Sequence, residues 1–498
     1  MLFRSHSSPL CAPSRYMLLS GNYPHRGTYG YGTWSVTQNT NQFTANQKSI
    51  AETLQGAGYH TGMFGKWHLG GKIPPNGFNK TNNSNYNDRH LITADGHNWS
   101  LPLIEGPGDI GFDESYITLE GIQRWPYSFF RNDMLEINPN DAKFWKSGPH
   151  QTSLGTSIIS KNRGGEGDPN WDSSAYDMIL VNETSKFIDT HLASESNKPF
   201  FAYVALGAVH GPHSPPNEYL DGSQIKNVYA TRHLDMLGAM DKAVGSVVSM
   251  IEDKGLTNET IIIFTSDNGG LNLKASIASG HLTSGPLRGA KSSIWEGGHR
   301  VPLIIRYDNK IPAGKRKFRM VGLNDIYSTI CELVGVNVPQ GSAQDSVSFA
   351  NYITRANSKR GLRKYLGSWQ VSGEKDWQHA IRKGPLKLVH YPGNNTFLAY
   401  NLKKDVSEST NIIHKPWVAK QIKGMYEKLM DLGPCNENDR SDSFRVSGLG
   451  EDHDCDWFRQ DSNRCALYFE GELSCPSICR RFFGECRKNK MYGNSFNP

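Results

Sequence analysis

The chain has 498 residues, of which 37% are hydrophobic and 20% are charged, and 50 of them are glycine. This length can bury a large core and divide into two or three domains, and the glycine content favours a loop-rich enzyme over a helical bundle. The formal net charge of +6 is small for the length, so it indicates no nucleic-acid partner, although it is weakly compatible with an anionic substrate.

The first predicted element is a short helix that begins near Cys11. Pro13 suits the first turn of this helix, where a missing N–H costs nothing, and Gly21 can end the helix after an apolar run. Cys11 would then lie at the helix N-terminus, where the macrodipole favours negative charge. These residues alone are equally compatible with a buried or disulfide-bonded cysteine in front of a short helix.

Strand and helix signals alternate along the chain to about residue 306. The predicted helices and strands cover, in chain order, 49–55, 60–65, 177–192, 199–206, 234–251 and 260–265. Such alternation predicts an α/β fold whose mostly parallel sheet is flanked by helices. Residues 72–172 are rich in Asn, Gly, Pro and Trp, and we expect them to consist largely of long loops over the active-site edge.

The pattern changes after residue 306. Helices are predicted over 324–334 and 416–430, with three short strands between them near 377–382, 386–391 and 397–402. These strands predict a smaller antiparallel sheet that is closed by the last helix. We therefore expect an α/β catalytic domain over 1–306, a C-terminal α+β domain over 307–430 and a cysteine-rich tail over 431–498.

The tail contains six of the eight cysteines. They are Cys435, Cys455, Cys465, Cys475, Cys479 and Cys486. This crowding is typical of a disulfide framework and of an oxidising compartment, whereas the short spacing of Cys475 and Cys479 also suits a zinc site. Together with sequons such as the one at Asn258, the crowding of cysteines favours a glycoprotein of the secretory pathway, either extracellular or lysosomal. We find no apolar run of transmembrane length and no signal peptide.

Two predicted strands are followed by segments that contain histidine. Gly65-Lys66-Trp67-His68 follows the strand over 60–65, and a lysine and a histidine two positions apart can supply an anion contact and a proton carrier. His210 and His213 follow the strand over 199–206, and either could act as a general acid. Because the carboxyl ends of parallel strands meet at one edge of a sheet, we expect these side chains to converge. Each segment alone is also compatible with an ordinary surface turn.

Two later segments offer a metal site and a second cation. Asp267 and Asn268 follow the strand over 260–265, and their oxygens are hard ligands suited to Ca²⁺ or Mg²⁺. The same Asn-Gly segment is also typical of a tight turn. Lys291 lies in the glycine-rich segment 289–302 and could either bind an anion or be simply solvated.

In this order, the segments resemble those of the sulfatase family. The first of them, Cys11-Ala12-Pro13-Ser14-Arg15, is similar to the family's Cys-x-Pro-Ser-Arg maturation motif, and the resemblance covers about residues 5–430. It implies an alkaline-phosphatase-like α/β fold and the hydrolysis of sulfate monoesters. It also implies that a formylglycine-generating enzyme converts Cys11 to formylglycine, whose aldehyde hydrate is the nucleophile.

The resemblance implies a role for each matching residue. Arg15 would steady the hydrate, and Lys66 and Lys291 would bind the sulfate oxygens. Asp267 and Asn268 would hold a divalent cation, Ca²⁺ or else Mg²⁺. His210, rather than His213, would protonate the leaving alcohol, and His68 would accept a proton as the aldehyde is regenerated.

The family's pattern breaks at the N-terminus. Family members begin with a strand that ends in an Asp-Asp pair of metal ligands, and no such pair precedes Cys11. The resemblance therefore implies that this chain lacks one middle strand of its sheet and about half of its protein metal ligands. We expect a truncated, otherwise active secreted sulfatase, because every downstream position is intact.

Two other functions stay open at this point. The chain could be a natural, non-catalytic relative that binds sulfated glycans, or a formylglycine-dependent phosphatase or phosphonate hydrolase. Residues 111–114 and 125–127 loosely resemble the branch of the family that contains galactose and galactosamine sulfatases. That likeness favours a carbohydrate sulfate as the substrate.

Overall fold

The computed structural model describes residues 2–29, 32–34, 40–75, 92, 96–194, 198–355, 362–370, 378–433, 443–445 and 452–454. The six cysteines of the tail lie outside these residues, so the disulfide and zinc hypotheses stay predictions. No helix in the described part of the chain is both long and apolar enough to cross a membrane.

The described residues form nine α-helices. They are α1 (Cys11–Ser20), α2 (Ile50–Gly56), α3 (Tyr176–Ala193), α4 (Arg232–Asp253), α5 (Lys274–Ala278), α6 (Glu296–His299), α7 (Asp325–Val334), α8 (Ala350–Thr354) and α9 (Pro416–Leu432). The predicted start and end of α1 are confirmed, since Gly21 closes the helix with a φ of 71° and its N–H bonds to the carbonyl of Met17. The Ser49 hydroxyl accepts a hydrogen bond from the N–H of Glu52 and so begins α2.

The strands are mostly short. They are β1 (Leu2–His6), β2 (Thr40–Asn41), β3 (His60–Lys66), β4 (Gly70–Gly71), β5 (Glu114–Thr118), β6 (Phe130–Arg131), β7 (Met134–Leu135), β8 (Lys143–Trp145), β9 (Gly148–Gln151), β10 (Thr156–Ile159), β11 (Gly165–Gly167), β12 (Phe200–Ala205), β13 (Ile262–Thr265), β14 (Arg300–Arg306), β15 (Arg316–Gly322), β16 (Leu366–Gln370), β17 (Gln378–Lys383), β18 (Leu386–Tyr391), β19 (Thr396–Asn401), β20 (Ser443–Arg445) and β21 (Asp452–Asp454).

The α/β class is confirmed, but the strands of the α/β part form two mixed sheets. One sheet has the order β12-β3-β5-β6-β7 and the other has the order β13-β14-β1-β15. The pairs β12/β3, β3/β5 and β1/β15 are parallel, whereas β14 runs antiparallel to both β13 and β1. The antiparallel hairpin of β6 and β7 follows from Asn132 and Asp133, whose positive φ values suit a tight two-residue turn.

The expectation of long loops over 72–172 is wrong for part of the described segment. β5 lies there and is a buried strand of the five-stranded sheet, paired with β3. Its Tyr116-Ile117-Thr118 sequence is rich in residues that favour strands, and this local preference outweighs the polar composition around it.

The strands β12 and β13 each form one end of a sheet. Neither pairs with a second neighbour among the residues that the structure describes. Apolar side chains of both strands, including Phe201, Tyr203 and Ile263, are only half-buried. The expected absence of one middle strand and the truncation both stay predictions.

The C-terminal sheet is antiparallel throughout, as predicted, with the order β16-β17-β18-β19. Helix α9 covers it through Val418, Ile422 and Met425, which recur at helical spacing and are buried. The expected domain boundaries at 306 and 430 stay predictions. β15 lies beyond residue 306 and nevertheless pairs with β1 in the four-stranded sheet.

Candidate active site

The thiol of Cys11 is buried at the start of α1, beside two side chains that follow from the end of β3. Its Sγ lies 3.4 Å from Nδ1 of His68, and Nζ of Lys66 donates a hydrogen bond of 3.7 Å to the same sulfur. His68 has a φ of 58°, so the chain turns sharply after β3 and brings His68 and Lys66 to the same sulfur. Cys11, Lys66 and His68 therefore lie together in the structure.

Arg15 lies one helical turn after Cys11, on the same face of α1. Its Nε and Nη2 donate hydrogen bonds of 3.1 and 2.7 Å to Oδ2 of Asp267, and its Nη1 donates one of 2.9 Å to the carbonyl of Lys66. Burial acts to lower the pKa of Arg15, but Tyr203 and Asp267 outweigh it and raise this pKa above its ordinary value. Because Asp267 follows β13 and Lys66 ends β3, Arg15 connects the two sheets at the site.

Asp267 and Asn268 present the oxygens that a metal ion requires. Burial acts to raise the pKa of Asp267, but the charges of Arg15, Lys66 and Lys291 outweigh it and hold this pKa at about 2. Asn268 donates from Nδ2 to the carbonyl of Gly269 at 2.9 Å, while its buried Oδ1 accepts no hydrogen bond from the residues that the structure describes. A buried acceptor without a donor is costly, so this oxygen, beside an ionised carboxylate, fits a hard cation such as Ca²⁺.

The positive charges of the site lower the pKa values of Lys66 and His68. Burial lowers the pKa of Lys66, and Arg15 and Lys291 lower it further against the opposing effect of Cys11. Burial and then Lys66 hold the pKa of His68 well below its ordinary value. The N–H of Lys291 bonds to the carbonyl of Gly270 at 2.9 Å, which fixes the backbone of this lysine beside the segment that contains Asp267 and Asn268. The site therefore carries excess positive potential, as an anion-binding site requires.

His210 joins this group and His213 does not. His210 follows β12 in a turn that its N–H closes on the carbonyl of Gly207 at 2.9 Å. Burial, then Lys66 and Lys291, lower the pKa of His210 to about 3. In contrast, the ring of His213 lies 5.1 Å from that of His233, and burial alone lowers its pKa.

The structure adds three residues for which the sequence gives no motif. Tyr203 of β12 lies beside Arg15, and Glu120 acts electrostatically on His68, whose pKa it raises against the effect of burial. The carboxylate of Asp177 binds the turn that leads to His210, through the backbone N–H groups of Gly207 and Ala208. The only sequence signal for Asp177 is an acidic residue in the first turn of a predicted helix, which is typical of helices in general.

A second cluster of side chains that could bind a metal ion is buried. It consists of His6, Glu296 and His299, whose ring nitrogens and carboxylate oxygens can accept hydrogen bonds and lie within 4.8 Å of one another. Lys387 and Arg382 approach oxygens of Glu296 at 3.3 and 3.0 Å. Arg382 also donates to Nε2 of His6 at 2.8 Å. Because cationic side chains already bind these acceptor atoms, the cluster is an internal ion-pair network that joins β1 and α6 to β17 and β18.

Comparisons with known protein families agree with this arrangement. The chain matches the family model described as Sulfatase over residues 1–336. It matches a second model, described as N-sulphoglucosamine sulphohydrolase, C-terminal, over residues 290–434.

Relatives and solved structures match over most of the chain. N-acetylgalactosamine-6-O-sulfatase of Bacteroides thetaiotaomicron is 27% identical over 474 residues, which cover 85% of this chain and 84% of that protein. Arylsulfatase D of Homo sapiens is 26% identical over 442 residues, 77% of this chain and 67% of that protein. A solved protein of glycosaminoglycan metabolism in Bacteroides thetaiotaomicron shares the fold with a TM-score of 0.69, at 22% identity over 86% of this chain and 91% of that one. Since the sulfatase model alone spans more than half of the sequence, the chain belongs to the sulfatase family of sulfuric ester hydrolases.

Proposed function

We propose that this sulfatase cleaves sulfate monoesters of carbohydrates and that residue 11 acts in the form of formylglycine. The observation that carries the proposal is the buried position of Cys11, where His68, Lys66 and the Arg15–Asp267 pair converge on the start of one helix. Formylglycine at this position would supply an aldehyde hydrate as the nucleophile.

The side chains around residue 11 suit the binding and cleavage of a sulfate ester. Lys66 and Lys291 bind the sulfate oxygens, and their charge stabilises the transferring group. Nδ1 of His210 lies 2.6 Å from the carbonyl of Gly211 and donates to it, which leaves Nε2 to carry a proton to the leaving alcohol. Nδ1 of His68 faces residue 11 and is placed to accept a proton there.

Asp267 and Asn268 would hold the divalent cation, Ca²⁺ or Mg²⁺. The cation would supply positive charge that favours the ionised nucleophile and neutralises the sulfate. Ca²⁺ takes six to eight oxygen ligands, and these two residues together provide only part of such a set. Both nitrogens of Arg15 bind Oδ2 of Asp267, so Oδ1 of this carboxylate would be the oxygen that binds the cation.

A carbohydrate substrate is supported by the relatives. Two of the proteins that the chain resembles are named as N-acetylgalactosamine-6-sulfatases, from Bacteroides thetaiotaomicron and from Sus scrofa. A protein of the same fold, with a TM-score of 0.56 and 17% identity, was solved with its substrate D-glucosamine-2-N,6-O-disulfate. We propose sulfated glycans as the substrate class, a formylglycine-generating enzyme as a maturation partner and the secretory pathway as the location.

The proposal is tested on the full chain produced with a formylglycine-generating enzyme. Mass spectrometry of the tryptic peptide 5–15 should show the aldehyde in place of the thiol at residue 11, and the protein should hydrolyse an aryl sulfate faster than an aryl phosphate. The variant Cys11→Ala is the matched control and should be inactive. Faster hydrolysis of the phosphate would make the protein a phosphatase instead. An unmodified thiol with no turnover, but with retained binding of a sulfated glycan, would make it a glycan-binding relative.

A further inference from the structure

We propose that Asp177 is a positioning residue for His210 and that its carboxylate fixes the turn which presents the imidazole to the site. The inference rests on the proposed function, because it assigns His210 the transfer of a proton to the leaving group. Asp177 itself touches none of the residues that surround Cys11.

The contact is bidentate. Oδ1 of Asp177 accepts a hydrogen bond of 2.7 Å from the N–H of Gly207, and Oδ2 accepts one of 3.1 Å from the N–H of Ala208. The N–H of His210 in turn bonds to the carbonyl of Gly207 at 2.9 Å. The carboxylate therefore holds the first two residues of a four-residue turn, and the turn ends on His210.

The residue before Asp177 supports the same turn from another side. A Cβ atom on Gly207 would lie 2.7 Å from Cδ1 of Tyr176, so the backbone of the turn rests directly against this ring. The hydroxyl of Tyr176 lies 2.6 Å from that of Thr118 at the end of β5, which fixes the ring. The start of α3 thus holds the turn by a carboxylate and by an aromatic surface.

The carboxylate has no compensating cation in the described part of the chain. The two backbone N–H groups are the bonds that favour its charge, and burial nevertheless raises the pKa of Asp177 to about 6. Tyr176 and Tyr219 are the titratable side chains that face it. Partly burying a carboxylate without a compensating cation costs free energy. An asparagine would cost less, but its side chain offers a single acceptor oxygen. Two acceptors are what the adjacent N–H groups of Gly207 and Ala208 require.

The test compares Asp177→Asn with Asp172→Asn. Asp172 lies just before the same helix, and among the described residues its carboxylate bonds to Ser174 alone, so its variant reproduces the chemical change without touching the turn. We expect Asp177→Asn to lower kcat on an aryl sulfate by about 10- to 100-fold, with KM within about twofold, since a small displacement of a catalytic group costs this much. Asp172→Asn should retain the activity of the unaltered protein.

A double-mutant cycle separates positioning from general damage. If Asp177 acts through His210, Asp177→Asn should cause no further loss in the His210→Asn background. A fully additive loss, or an equal loss in Asp172→Asn, would overturn the proposal. Should Asp177→Asn not fold, Gly207→Ala displaces the same turn from the Tyr176 side, and the same non-additivity with His210→Asn is expected.

An NMR readout distinguishes this proposal from the proposed function. With histidine side chains labelled, the His210 signals, assigned by their loss in His210→Asn, should shift in Asp177→Asn and stay unchanged in Asp172→Asn. This result does not depend on turnover, so it would stand even if no sulfate ester were cleaved. His210 signals that are unchanged in Asp177→Asn would refute the positioning role.

Discussion

Arg15 places two of its nitrogens on one oxygen of Asp267, with Nε at 3.1 Å and Nη2 at 2.7 Å from Oδ2. The exposed fractions of the two side chains are 8% and 27%, so water screens the pair only in part. Arg15 belongs to the helix of Cys11 and Asp267 follows β13, which makes this pair the direct link between the proposed nucleophile and the proposed metal ligands.

Asp267→Asn should therefore destabilise the fold. It leaves the buried guanidinium of Arg15 without its counter-charge, and breaking a buried pair by removing one partner costs about 3–5 kcal/mol. The matched control is Asp189→Asn, because Asp189 pairs with Lys254 at the surface and its side chain is 54% exposed. That control should cost far less, because water screens an exposed ion pair. Urea unfolding measures both, and equal losses for the two variants would contradict a special role of the Arg15 pair.

The effect of Asn268→Leu on thermal stability should depend on whether a cation is present. The buried Oδ1 of Asn268 has no donor within the described part of the chain, so its removal relieves an unsatisfied polar group, and the metal-free protein should lose little stability. Added Ca²⁺ should raise the Tm of the unaltered protein by mass action and leave that of Asn268→Leu unchanged. Thermal unfolding with and without Ca²⁺ checks this. An equal rise in both proteins would place the cation away from Asn268.

The sequence could predict the elements of the site that depend on local signals. Pro13 and Gly21 mark both ends of α1, and strand ends locate Lys66 and Asp267, because these signals lie within a few residues. Asp177 could not be predicted in its role, since its partners lie 30 and 31 positions along the chain. The antiparallel direction of β14 is equally a property of the tertiary arrangement, because its pairing with β1 joins residues almost 300 positions apart.

The protonation of His210 should depend on the anion. Burial, Lys66 and Lys291 hold its pKa at about 3 in the free protein, so the imidazole is neutral near pH 6. A sulfate ion bound between the two lysines would offset their charge, and the pKa of His210 should rise. The variant Lys291→Ala should raise it without sulfate, because one of the two cations is gone. NMR titration of labelled histidines measures both effects, and a pKa that is unaffected by sulfate and by Lys291→Ala would contradict this electrostatic account.

The buried imidazole of His25 should make the fold sensitive to acid. Burial, followed by the charge of Arg26, lowers the pKa of His25 to about 3, whereas an unfolded histidine titrates near 6.5. Between these values the unfolded chain binds more protons than the folded one, so stability falls as the pH decreases, by up to about 1.4 kcal/mol per pH unit for one such group. His25→Phe keeps a ring against Tyr23 and Trp369, whose centroids lie 5.9 and 4.7 Å from that of His25, and removes the titration. Urea unfolding between pH 7 and pH 4 should show a slope that is lower by about one proton in the variant. The same slope in both proteins would mean that His25 is protonated in the folded state without cost.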